Sequence, residues 1–237
     1  MTRTLSFPDD EVGKLWTFDE NGYPSREIAD ARGTITTDEP RIALAVPADV
    51  AQDLSFLRAL PPRAIDGLKC ARCEDVTQLR HATHLDLRAL LLPYALLGGA
   101  ALDYAPLHPR LEHLDITAAW GIDHHVHALA QLASLRTLGV FETSFSDAHV
   151  VHLSAMTSLE RFDGGYTKLT DAGIASLPPL AALTDLSLNE LPIGDASVPA
   201  LAARTSLRVL GLVHTKISAA GFRTLSAALP DCEIRGA

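Results

Sequence analysis

Cysteine is scarce in this chain. Three in 237 residues is an odd set, too sparse for a secreted disulfide framework, so Cys70, Cys73 and Cys232 are expected to be reduced thiols. Positive charge is also in deficit. Twenty Lys and Arg stand against 29 Asp and Glu, a formal net charge of −9, whereas nucleic-acid affinity rests on clustered basic groups that release counterions. The longest strongly apolar, uncharged run, Ala89 to Leu102, is shorter than the ~18 residues that span a bilayer. The opening residues, Met1 to Asp10, lack the apolar stretch of a secretory signal. A cytoplasmic chain that binds neither nucleic acid nor membrane is expected. The nucleophile elbow G-x-S-x-G, the Walker loop and the H-E-x-x-H helix are absent too, so nucleophilic, nucleotide and zinc-protease chemistry each lack a carrier and no cofactor is implied.

What the chain has is a period. Leu111, Leu135, Leu159, Leu183 and Leu207 stand 24 apart, and three and five places later come Leu114/Ile116, Leu138/Val140, Phe162/Gly164, Leu186/Leu188 and Leu210/Leu212. The L-x-x-L-x-L pattern at this spacing, within roughly 20–29 residues, gives one strand and one helical segment per unit. Counting from the first leucine, Asp123, Asp147, Asp171 and Asp195 fall at position 13, where a carboxylate suits a helix start. Val126/Leu129, Val150/Leu153, Ile174/Leu177, Val198/Leu201 and Phe222/Leu225 then mark the inward face of a short helix. Regular units run over 111–229, and Cys232 and Ile234 read as a terminal half-strand within 230–237.

Upstream the pattern is irregular, over 41–110. Leu44/Val46 and Leu68/Cys70 give two strands 24 apart, with a helix expected through Val50, Leu54, Leu57 and Leu60. Next, His84-Leu-Asp-Leu87 repeats the wording of His113-Leu-Asp-Ile116, while Leu87, Leu90 and Leu92 fit the spacing; Leu85/Leu87 is taken as the strand, in a unit lengthened through Pro93, Gly98 and Gly99. Residues 1–40 lack the leucines. They hold nine Asp/Glu against four Lys/Arg, and the β-prone runs Leu5–Phe7, Val12–Phe18 and Gly33–Thr37 suggest a small antiparallel cap over the first repeat's apolar face.

Units such as Leu159 to Leu177, with Lys-Leu-Thr-Asp-Ala-Gly-Ile at their centre, and the ending Leu-Pro-Asp-Cys-Glu-Ile resemble the bacterial leucine-rich repeat proteins built on L-x-x-L-x-L-x-x-T-x-I-T-D-A-G-L. The likeness covers about Arg41 to Ala237. It implies an α/β right-handed solenoid over 41–237, with parallel inner strands, short outer helices and a protein-binding role, but no substrate. Gly164, Leu191 and Arg204 depart from it.

With the leucines turned inward, positions 3, 5 and 7 must face the concave surface, joined by position 8 at its rim. His113, Asp115, Phe141, Glu142, Arg161, Asp163, Tyr166, Asp185, Asn189 and Glu190 are therefore the candidate contacts, with Trp120 just past its strand. Aromatic anchors in an acidic field suit a basic protein or peptide. The leading expectation is a non-catalytic adaptor, inhibitor or immunity-type module. A second is a hydrolase or metal-dependent enzyme, if His84/Asp86 and His113/Asp115 sit on adjacent strands roughly 5 Å apart. A third is a structural unit that self-assembles through its outer helices. His124, His125 and His127, with Asp123, point in different directions on a helical turn and are not expected to share a metal. Cys70-Ala-Arg-Cys73 has C-x-x-C spacing but no partner motif, and both cysteines fall at positions usually buried.

Overall fold

The structure, a computed structural model, describes residues 2–96 and 101–236. They form two compact units, Met1–Gly121 and Ile122–Ala237.

In the first unit, β1 (Arg3–Ser6) pairs antiparallel with the Thr34–Thr37 strand, and β2 (Lys14–Phe18) pairs antiparallel with β3 (Pro24–Asp30). β4 is Thr34–Thr37, and β5 (Ile42–Val46), β6 (Gly67–Cys70), β7 (Ala89–Leu91) and β8 (His113–Asp115) are the parallel repeat strands. β2 also pairs antiparallel with β5, closing that edge of the parallel sheet. Leu44, Leu68, Leu90 and Leu114 are in register and fully buried, so one leucine per strand builds the core layer. The expectation of a strand at Leu85/Leu87 is therefore corrected. His84 lies on a 3₁₀ turn (Thr83–Leu85), Asp86 takes left-handed backbone (φ 53°), and the strand follows at Ala89–Leu91. Leu90 pairs with Leu68 and Leu114, 22 and 24 residues away, because the ladder needs apolar side chains on its inner face and not a repeated phrase. Gly98 and Gly99 lie outside the described residues.

The cap is anchored by charge as well as by its strands. Asp66, buried at the entry to β6, accepts from Arg3 at 2.5 Å and from the Ile42 amide at 3.2 Å. The outer segments here are mostly 3₁₀ turns (Val50–Gln52, Ser55–Ala59, Val76–His81), with α1 (Ala101–Tyr104) a single α-turn. The helix expected through Leu60 is thus two short 3₁₀ pieces; at ~2.0 Å rise per residue they cross the repeat in fewer residues than an α-helix would.

The second unit keeps the 24-residue period throughout. β9 (Thr137–Gly139), β10 (Arg161–Asp163), β11 (Asp185–Ser187), β12 (Val209–Gly211) and β13 (Glu233–Arg235) run parallel, with Leu138, Phe162, Leu186, Leu210 and Ile234 in register. Outer segments progress from a 3₁₀ helix (Asp147–Ala155) to α2 (Asp171–Ser176), α3 (Val198–Ala202) and α4 (Ala219–Ala228). The three departures are accounted for by packing. A Cβ on Gly164 would lie 2.9 Å from the Phe162 ring, so the larger side chain on the strand fills the space the glycine leaves, and Phe145 meets that ring edge-on at 5.9 Å. Leu191 turns into the core at 1% exposure, where its counterparts Thr143, Thr167 and Thr215 donate their hydroxyls to a carbonyl three residues earlier. Arg204 donates to the Leu177 and Pro178 carbonyls at 2.8 and 3.1 Å, joining neighbouring repeats.

The position-13 carboxylates act across repeats. Asp147 accepts from the Thr170 amide and hydroxyl at 2.9 and 2.6 Å, Asp171 from Gly194 and Ser197, and Asp195 from the Ser218 amide and hydroxyl at 2.8 and 2.6 Å. Each holds the helix entry of the following repeat, and the Ser218 hydroxyl and amide keep the Asp195 carboxyl below the usual range. Gly173 and Gly221 sit against these carboxylates, with a Cβ landing 2.0 and 2.5 Å from the Asp147 and Asp195 Oδ1 atoms. Asp147 with Gly173 and Asp195 with Gly221 are thus fitted joints: acid from one repeat, glycine from the next.

Candidate functional site

With one sheet face committed to leucine, the other carries any specificity, and the two units use theirs differently.

In the first unit that face is paved with small residues and then covered. Ala43, Gly67, Ala89 and His113 stand in register across β5 to β8, beside a second row of Ala45, Lys69, Leu91 and Asp115. The β2–β3 turn lies over them. Gly22, at φ 86°, sits so close that a Cβ there would be 2.4 Å from the His113 ring. Ala89, Leu91, His113 and Asp115 are consequently 1%, 3%, 2% and 8% exposed. The expectation that His113 and Asp115 lie open to a partner is corrected: the hairpin needs an apolar, shallow bed, and the small side chains provide it. Asp115 also accepts from the Thr117 amide at 2.9 Å, which turns the chain out of its strand.

The proposed enzyme set does not assemble. His113 aligns with Ala89 and not with His84, whose Nε2 meets the Leu60 carbonyl at 2.9 Å; Asp86 is ion-paired by Arg63 at 3.0 Å and by Arg110 at 2.9 Å. Among the described residues no three His, Cys, Asp or Glu side chains converge on a point that could hold a metal. Cys70 and Cys73 are both fully buried; burial, the largest cause, pushes the Cys70 thiol well above its ordinary value and the Cys73 thiol to about 11, which keeps both protonated and poor as nucleophiles or ligands. Trp120 is 71% exposed and forms a parallel bridge with Leu96, near Tyr94 on the same strand-exit rim.

The second unit leaves its face polar and partly open. Phe141 and Tyr166 stack with centroids 6.0 Å apart at 24°, and Tyr166 is 55% exposed. Gly165 makes the stack possible, since a Cβ there would lie 3.1 Å from the Phe141 ring. Glu142, Tyr166, Glu190 and His214 are position-8 residues, all in the left-handed region at φ 57°, 49°, 61° and 56°. That corner lets the amides of Glu142, Tyr166 and Glu190 reach the next repeat's carbonyl while their side chains project outward. Four non-glycine residues in a costly conformation form one row.

The acids here are largely compensated. Asp185 pairs with Arg161 at 3.3 Å, Glu190 with His214, and Asp163 accepts from the Gly165 amide at 3.2 Å. Glu142 alone among the predicted acids of this unit is exposed with no side-chain partner among the described residues. Asn189 is structural: its Oδ1 accepts from the Val213 amide at 2.8 Å, its Nδ2 donates to Ser187 at 3.2 Å, and Gly211 leaves room for it. Sequence reasoning missed the His214 contact to Glu190, although both occupy position 8 of consecutive repeats.

Comparison with protein-family profiles and with curated protein sequences gives no match. Among solved structures the chain is similar to internalin C2 of Listeria monocytogenes, with a TM-score of 0.55 and 19% identity over 72% of this chain and 70% of that one. It is similar also to the internalin inlF of the same organism, with a TM-score of 0.53 and 16% identity over 77% of this chain and 63% of that one. At such identities the likeness shows the architecture, and it agrees with the strand ladders above: the chain has the leucine-rich repeat fold.

Proposed function

We propose that the chain is a non-catalytic protein-interaction module whose second unit takes a basic protein or peptide on the open strand face. One observation carries the reading. The stacked Phe141–Tyr166 pair presents aromatic surface to solvent, with Glu142 on its rim and the Glu190–His214 pair one repeat on. Aromatic side chains supply much of an interface's energy at small entropic cost, and charges around them set partner choice. Phe141, Glu142, Arg161, Tyr166, Asp185 and Glu190 are the contact residues in this reading; Asp163 and Asn189 shape the turns beneath them. An adaptor, inhibitor or immunity-type role fits such a module.

A cytoplasmic setting suits three unpaired cysteines, two of them buried, and no described helix is long and apolar enough to cross a membrane. The acidic balance disfavours nucleic acid.

The test is an immobilised panel of Arg- and Lys-rich peptides. Phe141→Ala and Tyr166→Ala are each expected to weaken the best binder by about 2 kcal/mol, roughly 30-fold, and Glu142→Lys to abolish discrimination for basic sequence. Unchanged retention by these variants would overturn the mapping. Ester or phosphoester hydrolysis lost in His113→Ala would overturn the non-catalytic reading, and concentration-dependent growth in light scattering would favour self-assembly.

A further inference from the structure

The first unit carries a cleft of about 530 Å³ between its β2–β3 hairpin and strands β5 and β6. Trp16, Tyr23, Pro24 and Pro47 line it, together with Lys69. We infer that this cleft binds a small apolar monocarboxylate, an aryl or alkyl acid whose body lies against Trp16 and Tyr23 and whose carboxylate meets Lys69.

The register explains why a cleft exists here. Trp16 pairs with Ala43 and Lys14 with Ala45, so the hairpin's large side chains share a face with the sheet's smallest ones. A methyl group beside an indole leaves a hollow that no neighbouring side chain fills. The volume lies within the roughly 300–1,000 Å³ of small-molecule sites, whose mostly apolar walls carry a small number of placed polar or charged groups.

Charge bookkeeping selects the ligand's head group. Lys14, on the same wall, is already taken by two carboxylates, Glu27 at 2.9 Å and Asp30 at 3.4 Å, and has no charge to offer a ligand. Lys69 is half-buried on β6, and its ammonium has no ion pair or hydrogen bond among the described residues. Glu11 also lines the cleft but is exposed, where water screens its charge. A half-buried cation beside aromatic carbon is best satisfied by an anion attached to an apolar body. A neutral ligand leaves Lys69 unpaired and a dianion brings more charge than one ammonium balances, so a monocarboxylate fits best.

The chain holds two tryptophans, so a Trp120→Phe background leaves Trp16 as the sole indole reporter. In that background 4-phenylbutyrate should produce a saturable change in Trp16 fluorescence and in its indole N–H resonance. A Kd of about a millimolar or tighter is expected for a ligand of about a dozen heavy atoms. The uncharged 4-phenylbutan-1-ol should bind at least about tenfold more weakly. Lys69→Met should remove that preference without shifting the thermal midpoint. No saturable response by about 20 mM, equal affinity for acid and alcohol, or a preference that survives Lys69→Met in a folded protein would each overturn the proposal.

Discussion

The two units build the same inner layer and put opposite things on the other side of it. In the first, the outward rows are Ala43, Gly67, Ala89 and Ala45, Lys69, Leu91, ending in His113 and Asp115, and the β2–β3 hairpin lies over them. In the second they are Thr137, Arg161, Asp185, Val209 and Gly139, Asp163, Ser187, Gly211, flanked by a stacked aromatic pair whose Tyr166 ring is exposed. Position in the repeat is identical while the chemistry is inverted. A repeat assigns a direction to each side chain, but whether that direction ends in water depends on chain that comes from elsewhere in the sequence.

The largest test of the contrast is Leu91→Ala. On an open face this would be nearly neutral, but at 3% exposure beneath the hairpin it should destabilise by roughly 2–5 kcal/mol, read by chemical denaturation. Tyr166→Ala, at the 55% exposed position of the second unit, should change stability by no more than about 1 kcal/mol. Similar losses at both sites would abolish the distinction between covered and open faces.

Acid gives a second handle on the first unit. His108 is buried and accepts the Leu87 amide on Nδ1 at 3.1 Å; burial, the main cause, lowers its pKa to about 4. The folded value lies below the unfolded one, near 6.5. The unfolded state therefore binds more protons between them, and stability is complete above about pH 6.5 and lost as pH falls toward 4, by roughly 3 kcal/mol. His81 and His149 are lowered in the same direction, also chiefly by burial. His108→Gln keeps an acceptor for the amide without the titration, and its denaturation midpoint should be much flatter across that window.

Much of this was legible beforehand. From Leu111 onward the period places β8 to β12, and Cys232/Ile234 marks β13, because one buried leucine per 24 residues admits a single phase. Between 84 and 92 two leucine sets compete: a count of 24 back from Leu114 reaches Leu90, the register the strand takes, whereas a count of 24 forward from Leu68 overshoots it by two. β3 is missed because Pro24–Asp30 is an edge strand, exposed for much of its length and without the alternation that marks a half-buried one. The covering of His113 depends on a contact with Gly22, 91 positions away, which no local pattern encodes. A clue was present nonetheless: Ala43, Gly67 and Ala89 at the position of His113 leave a shallow row that invites something to lie in it. The candidate contacts fared unevenly for a related reason. Position alone assigns Asp163 and Asn189 to the open face, while short polar side chains at a strand exit are readily captured by the turning backbone.

Gly22 is the point where the cover can be pried up. Alanine there faces both a left-handed φ of 86° and the His113 ring 2.4 Å from its Cβ, so Gly22→Ala should cost about 2 kcal/mol. The outcome that distinguishes lifting from general loosening is where it acts. Amide exchange should quicken along β2, β3 and β8, and not along β10 to β12. Uniform acceleration in both units would mean that the hairpin is not a local cover.

The smallest effect concerns the left-handed corners the units share. Glu142 holds φ 57° with no side-chain partner among the described residues, so glycine relieves the strain and loses little else; Glu142→Gly should stabilise by up to about 1 kcal/mol after the entropy glycine adds to the unfolded chain. Tyr94 stands at the same corner in the first unit, at φ 60°, but its ring carries the Arg72 guanidinium at 6.0 Å. Tyr94→Gly gives up that contact, worth roughly 0.5–1 kcal/mol at an exposed site, and should come out near neutral. Denaturation midpoints for the two variants therefore separate the backbone cost, common to every repeat, from the side-chain interaction that a given repeat has placed on it.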